Sequence, residues 1–238
     1  MTTPEQPVPD QPPTATPKRP GWRYRHGDGL EFDRVAFFSD ALYAIAMTLL
    51  IVVIEVPEIP EDAADDPAAL WEAIREQLPG LFAFFLAFYL LSRFWVAHHS
   101  FVSSLAAYNR SLISMNMFYL AFVASLPFTS GLVGRYFSNP VSVALFATAL
   151  FVISSMETVM FWYAYRAGLL RIPMTPTVFR AGLANSSLPS VLFLISIPLA
   201  FVSSLLAVLL WLLAIPIGLL IDRWTGVRSK SLRDKLEG

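Results

Sequence analysis

Three clusters of polar side chains interrupt an otherwise apolar chain, and each contains types that do chemistry. The first is Ser39-Asp40, which follows Val35, Ala36, Phe37 and Phe38 and precedes an uncharged run to Val52. Both side chains can cap a helix by accepting from its free amides. Because apolar residues precede the pair, the helix is expected to begin earlier and to hold Asp40 at membrane depth, where an ionisable group is a functional candidate by default. The second cluster is Trp95, His98, His99 and Ser100, followed by Asn109, Arg110 and Asn116. His, Asn, Asp and Arg at one depth can satisfy one another where water is scarce, which favours a buried hydrogen-bond network. A packed or interfacial histidine and a proton-sensing one stay open as alternatives. A metal pair is disfavoured, because adjacent helical residues diverge by about 100° and no nearby Cys or Glu completes a ligand set. The third is Glu157, expected to pair with an arginine such as Arg93 or Arg180.

The elements that must position these groups are membrane-spanning. Of 238 residues, 55% are hydrophobic and only 15% charged, which excludes an ordinary water-soluble domain. A bilayer core needs roughly 20 apolar residues per helix. Runs of that length place spans at about 34–56, 78–100, 112–133, 141–165, 183–202 and 205–221. Residues 1–30, rich in proline, are expected to form a disordered tail, 31–225 a six-helix domain and 226–238 a basic tail. Pro173 and Pro176 mark a loop, and Ala68 to Leu78 has the spacing of a short interfacial helix. The chain has no cysteine, so disulfides and thiolate sites are excluded.

Lysine and arginine are retained on the cytoplasmic side of short loops. Arg34, Arg110, Arg166, Arg171, Arg180 and the basic C-terminal residues fall on one side, Arg75 and Arg135 on the other. A multi-pass protein of the cell membrane with both termini cytoplasmic is expected. The acidic stretch from Glu55 to Glu76 then faces outward and concentrates cations.

Within the first span, Leu49 and Val52 lie about 40° and 20° to either side of Ile45, and Asp40 about 140° away. Ile45, Leu49 and Val52 form a narrow stripe, and Asp40 faces a neighbouring helix if the stripe faces an axis. Periodicity alone does not distinguish that from packing or lipid contact.

The Phe38-Ser39-Asp40 triplet, with Arg34 upstream and Ala44-Ile45 and Thr48-Leu49-Leu50 downstream, resembles the transmembrane protein 175 family of potassium channels. Trp95, His98, Asn116 and Pro127-Phe128-Thr129 reinforce the likeness over about the first 130 residues. The resemblance implies an all-α membrane protein, a homotetramer of six-span subunits with the first helix of each lining a central pore. Potassium ions in transit and the lipid bilayer would be its partners, without cofactor or nucleic acid. It also implies that Ile45 forms the main constriction, Leu49 and Val52 further rings, and that Thr48 sets a hydroxyl near the ion. Arg34, Phe38, Ser39, Asp40, Trp95, His98, Asn109 and Asn116 would brace the helix ends. Asn109 stands where relatives are expected to be acidic, and Val52 where leucine is frequent.

Two other functions fit an intramembrane carboxylate: a proton-conducting channel, or a proton-coupled secondary transporter using Asp40 or Glu157. Internal repeats that would favour a transporter are not visible. Neither a nucleophile motif nor a phosphate loop is present, so an enzyme is not expected.

Overall fold

The computed structural model describes residues 23–25 and 30–212. Most of the expected N-terminal tail, the end of the sixth span and the basic C-terminal tail lie outside the described residues. The described elements are almost entirely helical. They are α1 (Leu30–Val52), α2 (Pro67–Glu76), α3 (Leu78–Ser103), α4 (Arg110–Arg135), α5 (Pro140–Arg166), α6 (Pro176–Val202) and the helical segment α7 (204–212). A two-stranded antiparallel ribbon joins β1 (Arg23–Arg25) to β2 (Ala107–Asn109), with Tyr24 opposite Tyr108. Residues 23–25 therefore pair in regular structure within the stretch expected to be disordered. Among the described residues, five helices are long and apolar enough to cross a membrane: α1, α3, α4, α5 and α6.

Local chemistry sets the helix ends. Asn109 caps α4 by accepting from Leu112 N at 2.9 Å, and Asn139 caps α5 from Val141 N at 3.0 Å, with Pro140 next in the first turn. Asp66 caps α2 in the same way from Ala68 N, which makes residues 67–76 the short helix expected there. At the end of α5, Gly168 takes φ +63°. It lets Leu169 N reach back to Ala164 O at 2.9 Å and Gly168 N to Tyr165 O at 3.3 Å, the paired bonds of a Schellman stop.

Two expected boundaries move. Pro176 does not mark a loop: it occupies the first turn of α6, with Thr175 as cap, so this helix begins seven residues before the expected 183. Proline fits there because the first-turn amide has no intrahelical partner to lose. In turn, α1 stops at Val52 rather than 56, closing in a turn in which Ile54 N donates to Ile51 O at 3.1 Å.

α4 is the central element, packed on α1, α3 and α5, while α6 packs on α5. Leu112, Leu120, Val123 and Leu126 of α4 are fully buried, as are Val143, Ala147, Leu150 and Ile153 of α5. The loops after α3 and α5 are tied at one end by Ala106 N to Leu169 O (2.7 Å) and Arg171 N to Ser104 O (2.8 Å). At the opposite end α3 and α4 touch through glycines: a Cβ on Gly134 would sit 2.8 Å from Gly80 Cα. Small residues permit such backbone contact between helices in lipid. Gly134→Ala is expected to push α3 from α4 and destabilise the fold by about 1–3 kcal/mol, the cost of overpacking. Thermal unfolding in detergent checks this, with Gly168→Ala as a second site that fails through φ instead.

Candidate functional site

α1 has two unlike faces. One buries Phe32, Ser39, Tyr43, Ala46 and Leu50 against α3, α4 and β2. The other carries Ile45, Leu49 and Val52, which are 58%, 43% and 70% exposed. Among the described residues nothing covers this stripe. Ala44 and Thr48 share its exposure. Thr48 donates its hydroxyl hydrogen to Ile45 O at 2.8 Å, which leaves its oxygen lone pairs directed outward.

The buried face is held by two polar layers about one turn apart. In the first, Ser39 Oγ donates to Val35 O (3.0 Å) and accepts from Asn116 Nδ2 (3.0 Å), while Asn116 Oδ1 lies 2.8 Å from His98 Nε2. That bond requires the hydrogen on Nε2. Ser39, His98 and Asn116 are essentially inaccessible to solvent, so each lost partner leaves an orphan polar group. In the second, the Tyr43 hydroxyl bonds to that of Tyr119, and Tyr119 donates to Glu157 Oε1 at 2.8 Å. His98 joins the layers by stacking on the Tyr119 ring, with centroids 5.2 Å apart and planes within 8°. Four helices, α1, α3, α4 and α5, thus meet around Tyr119.

Asp40, on the flank between these faces, accepts from Trp95 Nε1 at 2.9 Å. It contacts the neighbouring α3, as its angle from Ile45 implies. The other expected bracing residues are dispersed. Asn109 caps α4 and donates to the Tyr163 hydroxyl at 2.9 Å, about two helical turns from Asn116 of the His98 layer. Phe38 is 51% exposed, and Arg34 is exposed at the start of α1. Glu157 takes a tyrosine rather than the expected arginine: among the described residues it forms no ion pair. His99 lies against Trp95, with ring centroids 5.6 Å apart and planes tilted by 35°.

Tyr43 and Tyr119 escape a reading of polar clusters because each sits in an apolar run. A spacing signal exists: Tyr43 follows Ser39 by four residues and Tyr119 follows Asn116 by three, the intervals that share a helix face.

Comparison with known proteins follows the same residues. The family model described as endosomal/lysosomal potassium channel TMEM175 matches residues 34–127. A protein of Streptomyces collinus named as a potassium channel is 31% identical over 179 residues, 73% of this chain and 84% of that protein. One from Gallus gallus, named as an endosomal/lysosomal proton channel, is 34% identical over 115 residues, 45% of this chain but 22% of its own length. A crystal structure of a lysosomal potassium-selective channel homologue from Chamaesiphon minutus superposes with TM-score 0.69 at 25% identity, covering 79% of this chain and 97% of that one.

Proposed function

The chain belongs to the family of the potassium channel TMEM175, and from that premise we propose that it is a potassium-selective channel whose conduit is walled by α1. The observation that carries this reading is the two-faced character of α1. Ile45, Leu49 and Val52 stand uncovered on one side, and the other is tied to α4 by buried hydrogen bonds that continue from α4 to α3 and α5. Four copies around an axis would bring the stripes together as successive rings, Ile45 the narrowest, with Thr48 offering oxygen beside them. An apolar ring stays dry when narrow and passes a partly hydrated ion when wider, so small changes in α1 separation would gate the flow. The Ser39, Asn116 and His98 layer and the Asp40–Trp95 bond would set that separation, with Arg34, Phe38 and Asn109 acting at the same end of the bundle.

The subunit is read as six spans, with the apolar run 205–221 of the sequence as the last. Both termini lie in the cytoplasm, since Arg34, Arg110, Arg166, Arg171 and Arg180 gather at one end. The acidic residues between α1 and α3 then ring the outer mouth. Proton conduction through the same path is the second reading, favoured by the titratable groups Tyr43, His98 and Glu157 lying directly behind the stripe.

Purified protein in liposomes, challenged with potassium, sodium and proton gradients separately, tests this. Potassium flux exceeding sodium flux is expected; equal rates for both, or proton flux alone, would overturn potassium selectivity. Passive equilibration without a coupled proton movement argues against a transporter.

A further inference from the structure

Glu157 is an acidic side chain inside a membrane-capable helix, partly buried and without an ion pair among the described residues. The proposed conduction path leaves it without a task. Its place in the hydrogen-bond chain supplies one.

The Tyr119 hydroxyl owns one hydrogen, and at 2.8 Å it is directed to Glu157 Oε1. A carboxyl oxygen accepts whether the group is charged or neutral, and here Oε1 is the acceptor. The Tyr119 oxygen is therefore free to accept, and the hydrogen between the two tyrosines must come from Tyr43. The chain has one sense, from Tyr43 on α1 through Tyr119 on α4 to Glu157 on α5. Without an acceptor at 157, Tyr119 would turn its hydrogen elsewhere and the sense would be lost. The groups around this chain are Asp40 on α1, His98 on α3 and the two tyrosines; His98 covers the Tyr119 ring and lies 5.8 Å from that of Tyr43.

Tyr43 projects about 200° from Ile45 on the helix, so what fixes one fixes the other. On a helix with side chains about 10–12 Å across, a rotation of about 20° moves a side-chain tip by about 2 Å. Apolar packing of Tyr43 would tolerate such a turn more readily than a directional bond to a fixed oxygen. The geometry points to Glu157 as a positioning residue: by ordering the tyrosine hydroxyls it holds the rotational register of α1, and so the aim of Ile45. The consequence for ion selectivity rests on the proposed pore reading; the register does not.

The absence of native cysteine allows a clean test. Nitroxides are attached one at a time to cysteines replacing residues 44–52 in the full-length protein in liposomes. Their collision with oxygen and with a water-soluble nickel chelate gives the phase of α1. That phase reads orientation whether the exposed face meets lipid or water. Glu157→Leu is expected to shift the phase by about 20° or more and lower the potassium-to-sodium flux ratio. Glu157→Gln keeps an acceptor oxygen and is expected to leave both near the parent values. Tyr43→Phe removes one hydroxyl only and should reproduce the leucine variant, which decides the matter if Glu157→Leu does not assemble. An unchanged phase in folded Tyr43→Phe, or Glu157→Gln as disrupted as Glu157→Leu, overturns the positioning role. A shifted phase with an unaltered flux ratio keeps that role and instead removes the α1 stripe from the conduction path.

Discussion

Ile45→Asn is expected to raise cation flux about tenfold, equivalent to about 1.4 kcal/mol off the barrier, and to bring the potassium and sodium rates together. The argument is one of wetting. A ring of isoleucines offers an ion no replacement for its water, so passage depends on diameter and on the cost of hydrating an apolar surface. Asparagine is smaller, and its amide donates and accepts. Water would then occupy the constriction at rest and an ion would pass with its shell, losing the distinction between two cations of one charge. Ile45 is well placed for such a substitution because its side chain is 58% exposed within the chain and supports no core. Stability should hardly change, so a shift in flux reads the pore and not the fold. Liposome flux with each cation checks it; an unaltered ratio removes Ile45 from the selectivity-determining ring.

Asn116→Leu is expected to have the largest effect on stability of the polar substitutions. One amide serves two buried partners, donating to Ser39 Oγ and accepting from His98 Nε2. Leucine fills the same space and serves neither. Ser39 keeps its bond to Val35 O, whereas the buried His98 N–H is left without an acceptor. Such an orphan costs about 1–3 kcal/mol in soluble proteins, and hydrogen bonds between membrane helices fall towards about 0.6 kcal/mol. A loss of about 2 kcal/mol corresponds to a fall in unfolding midpoint of about 4–8 °C for a chain of this size. Adding His98→Phe removes the orphan donor and keeps a ring against Tyr119, so the double variant should recover part of the loss. Thermal unfolding of the four proteins in a double-mutant cycle measures the coupling; additive losses would mean that the His98–Asn116 bond contributes nothing.

The residues of the His98 layer were legible as polar types recurring near helix ends, and the angle between Asp40 and the stripe implied that Asp40 meets a neighbouring helix, though not that Trp95 is its partner. Asn109 illustrates the limit. Its proximity in sequence to Asn116 suggested one network, yet seven residues along a helix are about 10 Å of rise. Asn109 instead lies where the chain turns, and caps α4. Glu157 shows the same limit from the other side. A carboxylate inside a membrane-capable helix calls for a partner, and charge suggests arginine; only the packing of α4 on α5 brings Tyr119 within reach, 38 residues away in sequence.

Alone, the order of residues determined the membrane as solvent, the existence and approximate extent of the long helices, and the stripe on α1, because hydropathy and the helical repeat are local properties. Pro176 shows where even local rules divide, since proline ends one segment and begins the next with equal chemistry. Which face of α1 is buried, and which partners the buried polar atoms choose, was decided by tertiary structure. Those outcomes depend on helices far apart in the chain meeting at one depth, where every hydrogen bond must find its partner inside the protein.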